Sequence, residues 1–261
     1  MLRFIGRLFF MIASTFLIVL VIILLDSKLE LGFSDLEMNT FILPFILIFN
    51  FFIVYPNLRK SFYKQFIKVK ELHLLIALPI LISIIELLLV YIYILLPIFF
   101  NKEPVSIGSN QYVESETLTS LGDFLLTGIL GPFTEEVIFR FLLLYLLPYT
   151  LLRFLYNERA FIKRIVSESV FLFGKKIYKN MTKTHSKVFI IIWIILVSCL
   201  FSLVHGPDLW SFPIYFIGGV IPGYLYIKYG FLSAWIVHGS FNALSPIMNT
   251  VVIMFLNLLL K

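Results

Sequence analysis

Three stretches of this chain, residues 8–25, 41–55 and 188–204, hold no charged residue. A fourth, residues 74–100, holds one, Glu86. These runs restrict the fold more than any other feature of the sequence. A helix of about 20 apolar residues crosses the hydrocarbon layer of a bilayer. In lipid every backbone N–H and C=O must be paired within its own segment, so such runs are helices rather than open strands. Composition agrees. Hydrophobic residues make up 60% of the chain and charged ones 14%, against roughly 45–50% and about 25% in soluble domains. The chain reads as all-α: a polytopic membrane helix bundle of seven or eight transmembrane helices. Residues 1–261 form one integral membrane domain, with no segment long enough for a separate soluble one.

The charges between the runs set an orientation. Arg59, Lys60, Lys64, Lys68 and Lys70 gather in the linker 57–73, and Arg153, Arg159, Lys163, Arg164, Lys175, Lys176, Lys179, Lys183 and Lys187 in and around 153–187. Asp26, Glu30, Asp35 and Glu37 occupy one alternate linker, Glu103, Glu114, Glu116 and Asp123 another. By the positive-inside rule, the basic linkers and the N-terminus, with Arg3 and Arg7, are cytoplasmic in a multi-pass cell-membrane protein. The same rule accounts for the net charge of +6, so nucleic acid is not expected as a partner; membrane lipids are. The first apolar run is too long for a signal peptide and lacks a small-residue cleavage site, so it reads as a retained span. The lone Cys199 permits no disulfide framework.

Further spans are expected at 41–56, 74–100, 188–205 and 210–227, and 231–260 as one kinked helix or two divided near Ser245-Pro246. The segment 118–152 is expected to be a shallow or re-entrant helix, 118–130, followed by one span, 133–152, with a break at Gly128, Gly131 and Pro132. The linker 153–187 mixes apolar and basic residues, the pattern of an amphipathic helix lying on the inner leaflet. Gly218, Gly219 and Gly223 allow close helix approach.

Ionisable residues inside spans are costly, and their default reading is functional. Here they are Glu86, Glu135, Glu136, Arg140, His205 and His238, joined by the amide of Asn242. Glu136 and Arg140 are four apart on one helix face and can pair, which leaves Glu135 without a local counter-ion and suited to general-base work. His238 and Asn242 share a face about 6 Å apart along the axis, and two donors there suit an oxyanion. Glu135 and His205 are expected at similar depth, with His238 and Asn242 deeper. Glu86 has no evident partner, and His73 and His185 lie in basic linkers as solvated residues. The bland alternatives are a structural Glu136–Arg140 pair, an interfacial His205 and a buried His238 capped by Asn242.

Taken in order, Glu135-Glu136-Val-Ile-Phe-Arg140, Phe201-Ser-Leu-Val-His205 and His238-Gly-Ser-Phe-Asn242 resemble the motifs of the CPBP family, the CAAX proteases and bacteriocin-processing enzymes also called Abi. The resemblance covers about residues 118–250. It implies an intramembrane endopeptidase acting on a peptide or protein substrate. In that reading Glu135 and His205 activate a water, His238 and Asn242 form the oxyanion hole, and Glu136 and Arg140 support the site. The family is often called metalloprotease. There is no His-Glu-x-x-His zinc helix. Glu135, His205 and His238 could hold Zn²⁺ with one open position, or work as a metal-free glutamate–histidine pair; the second is the expectation taken here. Two other classes compete: a non-catalytic scaffold or bacteriocin-immunity protein of the same fold, and a transporter, against which no repeated broken helices are visible.

Overall fold

The computed structural model of the chain describes residues 2–34, 37–105, 119–148 and 187–259. Every regular element among them is a helix. The basic linker 153–187, apart from its last residue, lies outside the described residues, and so does the expected amphipathic helix there. We number the helices α1 (Leu2–Leu29), α2 (Leu43–Val54), α3 (Pro56–Phe66), α4 (Leu78–Leu95), α5 (a composite described below), α6 (Lys187–Val204), α7 (Phe212–Tyr229) and α8 (Phe231–Leu259). Short π-helical turns lead into α2 and α4.

Among the described residues, four helical segments are long and apolar enough to cross a membrane: Phe9–Leu29, His73–Phe100, Lys187–Val204 and Phe231–Leu256. The seven or eight expected concern the whole chain, part of which lies outside the described residues. α2 has only 12 residues, roughly 18 Å of helix. α7 has 18 residues, with Pro222 inside it and Lys228 in its last turn. α3 is short and polar, with Pro56 at its start. It turns Phe62 and Phe66 into an aromatic cluster with Phe231 and leaves Arg59, Lys60 and Lys64 exposed.

The largest departure from expectation is α5. Gly128, Gly131 and Pro132 do not break the chain. Helical backbone runs without interruption through Ser120–Asp123, Phe124–Leu130, Gly131–Glu136 and Val137–Leu146, with the second and fourth pieces wound as π-helix. A wider π turn absorbs the residue that proline would otherwise force out of register, because it no longer needs the i→i−4 bond. Likewise α8 is undivided: Pro246 sits inside it, and Tyr91 on α4 donates to the Ser245 carbonyl at 3.2 Å.

α5 lies between α6 and α8 and runs antiparallel to both. Against α6, the Trp193 indole N–H donates to the Leu143 carbonyl at 3.2 Å, and the Phe139 and Phe201 rings meet edge to face at 5.1 Å. Against α8, Phe133 packs edge to face on Phe231 at 5.4 Å. Trp235 donates to the Ile129 carbonyl at 3.0 Å. The helices then come very close: a Cβ built on Gly239 would lie 2.3 Å from the Gly128 carbonyl oxygen.

α6 and α7 approach through Gly219 and Gly223, whose added Cβ atoms would meet Ser198 Cβ at 2.9 Å and Ile194 Cγ2 at 3.1 Å. Gly218 does not share in this contact; it faces α4. The α7–α8 turn rests on Gly230, at φ +106°, where the left-handed backbone favours glycine. The Lys68 backbone N–H donates to Tyr229 O at 3.0 Å, and its ammonium caps the end of α7 by donating to Tyr226 O at 3.0 Å and Ile227 O at 3.3 Å.

Candidate active site

The antiparallel register of α5 with its two neighbours decides which side chains meet. Stepping down α5 and up α6, the pair Leu143–Trp193 is followed by Phe139–Phe201 and then by Glu135–His205. Glu135 Oε2 lies 3.7 Å from His205 Nε2 and 3.6 Å from His238 Nε2. Thus Glu135, His205 and His238, from three helices, converge on one point. Because α5 is continuous, Glu135 sits about 22 Å along it from Ser120 rather than near the start of a span. That removes the expected mismatch in depth with His238.

Each histidine is oriented from behind. His205 Nδ1 lies 2.7 Å from Phe201 O. A carbonyl only accepts, so Nδ1 carries the proton and Nε2 is turned to Glu135. Tyr215 stacks on the His205 ring at 4.9 Å, a neighbour that no sequence motif marked. His238 Nδ1 lies 3.0 Å from Glu136 Oε1, so it too donates from Nδ1 and presents Nε2.

Glu136 and Arg140 form the expected i,i+4 pair, with Nε–Oε2 at 2.9 Å and both side chains fully buried. The pair does more than neutralise itself. One carboxylate oxygen takes Arg140 and the other takes His238, so the ion pair is the fixture that sets the His238 ring. The Arg140 guanidinium lies over the Phe201 ring at 5.3 Å, and Phe201 also contacts the His205 and His238 rings at 4.5 and 5.7 Å. This gives the phenylalanine of Phe-x-x-x-His a physical role: one aromatic ring contacts the cation and both imidazoles.

Asn242 joins the site through α5. Its Nδ2 donates to the Thr127 carbonyl at 3.0 Å. In a π-helical stretch such as 124–130 the carbonyls leave the regular i→i−4 pattern, and Asn242 and Trp235 take two of them. One amide N–H of Asn242 is committed in this way and the second is available.

A cavity of about 520 Å³ opens onto this cluster. Glu135, His205, His238 and Asn242 line it together with Glu86 and Asp123. Glu135 is about a quarter exposed, while its Oε2 is buried with no hydrogen-bond partner among the described residues. The loop ahead of α7 is held by Asp208, whose Oδ1 accepts from the backbone N–H of Trp210 at 2.9 Å and of Ser211 at 2.6 Å. The Ser211 backbone and hydroxyl bonds, with that of Trp210, hold the exposed Asp208 carboxyl below its ordinary value.

Of the residues expected at the site, all six are described and all six are connected. Glu86, which the sequence left without a role, lines the same cavity. His73 is exposed, as expected.

Residues 117–244 match the family model Rce1-like, described as type II CAAX prenyl endopeptidase Rce1-like. This segment, just under half of the chain, is similar to an Rce1-like domain. It is consistent with a CPBP family intramembrane protease, as the three motifs implied, and together with the long apolar helices it supports a membrane-located protease of this type. Neither a curated protein nor a solved structure matches the chain.

The metal question turns on spacing. Both imidazoles present Nε2 with Nδ1 engaged behind, the habit of metal-ligating histidines. Among the described residues, however, no group of three or more His, Cys, Asp or Glu is arranged to hold a metal ion. Water activation is therefore described below through the side chains themselves.

Proposed function

We propose that the chain is an intramembrane endopeptidase that hydrolyses a peptide bond with a water activated by Glu135 and His205. The observation that carries this reading is the convergence of Glu135 Oε2 with two imidazole Nε2 atoms at 3.6 and 3.7 Å, on the wall of a cavity large enough for a peptide segment. Separations of this size are bridged by water rather than by direct hydrogen bonds.

The proposed chemistry follows from the groups present. Glu135 accepts a proton from a bound water, and His205, its Nε2 lone pair facing the same point, orients that water and shares the proton. The hydroxide forms a bond to the scissile carbonyl carbon while the carbonyl π pair moves onto oxygen. The free N–H of Asn242 stabilises that oxyanion. His238, when both ring nitrogens carry protons, adds a second donor from Nε2. Collapse of the intermediate re-forms the carbonyl and breaks the C–N bond. The proton held by Glu135 or His205 passes to the leaving amine. Glu136 and Arg140 do not touch the substrate; they position His238. The basic linkers 57–73 and 153–187 and the N-terminus are proposed to face the cytoplasm.

The test is cleavage of a quenched fluorescent peptide by the purified protein in proteoliposomes. Glu135→Gln and His205→Ala are each expected to lower turnover by about 10²–10⁴-fold, the usual share of a positioned general base. Full activity in either variant would sink the mechanism. If the variants also keep the biological phenotype, the chain is a binding scaffold of the same fold.

A further inference from the structure

Glu86 lies on α4, outside the segment that matches the Rce1-like family. Buried positions Pro79, Ser83, Glu86, Val90 and Ile94 follow one another at helical spacing, so Glu86 sits in the middle of the stripe that α4 turns inward. It is only 5% exposed. No described residue gives it a hydrogen bond or an ion pair. The wall opposite is bare. Gly218 on α7 faces the carboxylate, and even a Cβ added there would stop 3.7 Å from Oε1. The carboxyl group therefore opens into the active-site cavity.

A carboxylate placed this deep is costly, and costlier without a counter-ion. Isosteric apolar packing would be cheaper for the fold alone. The cavity lining includes Glu135, His205 and His238 but, among the described residues, no lysine or arginine. The pocket wall beside Glu86 thus offers neither among the described residues, and Val90, Ile94, Ile214 and Phe241 around it are suited to an aliphatic stem. Long cationic side chains bury their stems in this way while the head finds a charge.

We propose that Glu86 is a specificity-determining residue: its carboxylate binds a lysine or arginine side chain of the substrate peptide, beside the scissile bond. This rests on the protease reading given above and adds a substrate class to it, peptides with a basic residue near the cleaved bond. The ion pair is completed only when substrate enters, so the charge that weakens the empty fold becomes selectivity for the correct peptide.

The experiment uses paired quenched fluorescent peptides in which lysine or the neutral isostere norleucine occupies each position flanking the scissile bond in turn. Wild type and Glu86→Gln, both checked for wild-type melting, are compared in proteoliposomes. At one position the wild-type kcat/KM ratio of lysine to norleucine peptide is expected to be on the order of tenfold or more, as for a desolvated charge pair. In Glu86→Gln that ratio falls to near unity. A wild-type protein without lysine preference at any position overturns the proposal, even if Glu86→Gln fails to fold. So does a preference that survives in Glu86→Gln. Fluorescence anisotropy with the same peptides labelled, on wild type and on Glu135→Gln, reads the preference without turnover. If nothing is cleaved, or if Glu135→Gln cleaves normally, the protease reading fails. The anisotropy ratio then still decides Glu86, a lysine preference supporting it and equal binding overturning it.

Discussion

Replacing Glu136 with glutamine removes one oxygen and one charge from a fully buried position. The carboxylate accepts from Arg140 Nε at 2.9 Å and from His238 Nδ1 at 3.0 Å. Glutamine keeps the shape but has one acceptor oxygen and one NH₂ donor. If the oxygen stays on Arg140, the NH₂ faces His238 Nδ1–H, donor to donor. The ring must then lose that proton, move it to Nε2 or turn away. In every case His238 no longer presents the same Nε2 to Glu135. Arg140 meanwhile keeps its charge in a buried site where its two terminal nitrogens already lack partners among the described residues. Removing one member of a buried pair costs about 3–5 kcal/mol, a large part of a typical stability of about 5–15 kcal/mol. Glu136→Gln is therefore expected to melt well below wild type in detergent and to lose most cleavage of a fluorescent peptide. A second variant separates the two effects. Glu136→Met with Arg140→Met removes both charges together, which is often neutral for stability. Melting should largely recover while cleavage stays low, because His238 has lost its orienting acceptor. A Glu136→Gln protein with wild-type melting and wild-type cleavage would refute the reasoning, and so would recovered cleavage in the double variant.

Gly239→Ala places a methyl 2.3 Å from the Gly128 carbonyl oxygen, so α5 and α8 must separate by about 1 Å; overpacking of this kind costs about 1–3 kcal/mol. A shift of that size misplaces His238 against Glu135, and peptide cleavage should fall by on the order of 10²-fold in protein that still folds. Asp208, with its carboxyl held below the ordinary aspartate value of about 4, stabilises the loop ahead of α7 at every pH above that value. The contribution is lost as pH falls through the lowered folded value. Chymotryptic cutting after Trp210, measured with an acid-stable marker of overall fold, should rise only at that acid end, and Asp208→Asn should abolish the dependence. Prolonged chelation with EDTA is expected to leave peptide cleavage unchanged, because water activation is assigned to Glu135 and His205; loss of activity restored by added Zn²⁺ would overturn the metal-free mechanism.

The apolar runs at 8–25, 74–100 and 188–204 were sufficient to place three of the four membrane-length helices, because solvation in lipid acts on each segment separately. The i,i+4 spacing of Glu136 and Arg140 was likewise enough to pair them, since both lie on one turn of one helix. The continuity of α5 was not legible. Gly128, Gly131 and Pro132 carry every local mark of a break, and only packing against α6 and α8, with Trp235 and Asn242 capturing the carbonyls of Ile129 and Thr127, keeps the segment helical. α2, an apolar run in the sequence, has only 12 residues of α-helix.

By itself, then, the sequence determined that this is a helical membrane protein and which polar residues within it demand an explanation, because hydrophobic burial and helix spacing are properties of neighbours along the chain. Tertiary structure alone decided that Glu135 meets two histidines, that Glu136 serves His238 as well as Arg140, and that Glu86 opens into the same cavity opposite Gly218. Those relations join residues far apart in the chain, 102 positions for Glu136 and His238 and more for Glu86 and Gly218, and they follow from the register of packed helices, which no local pattern encodes.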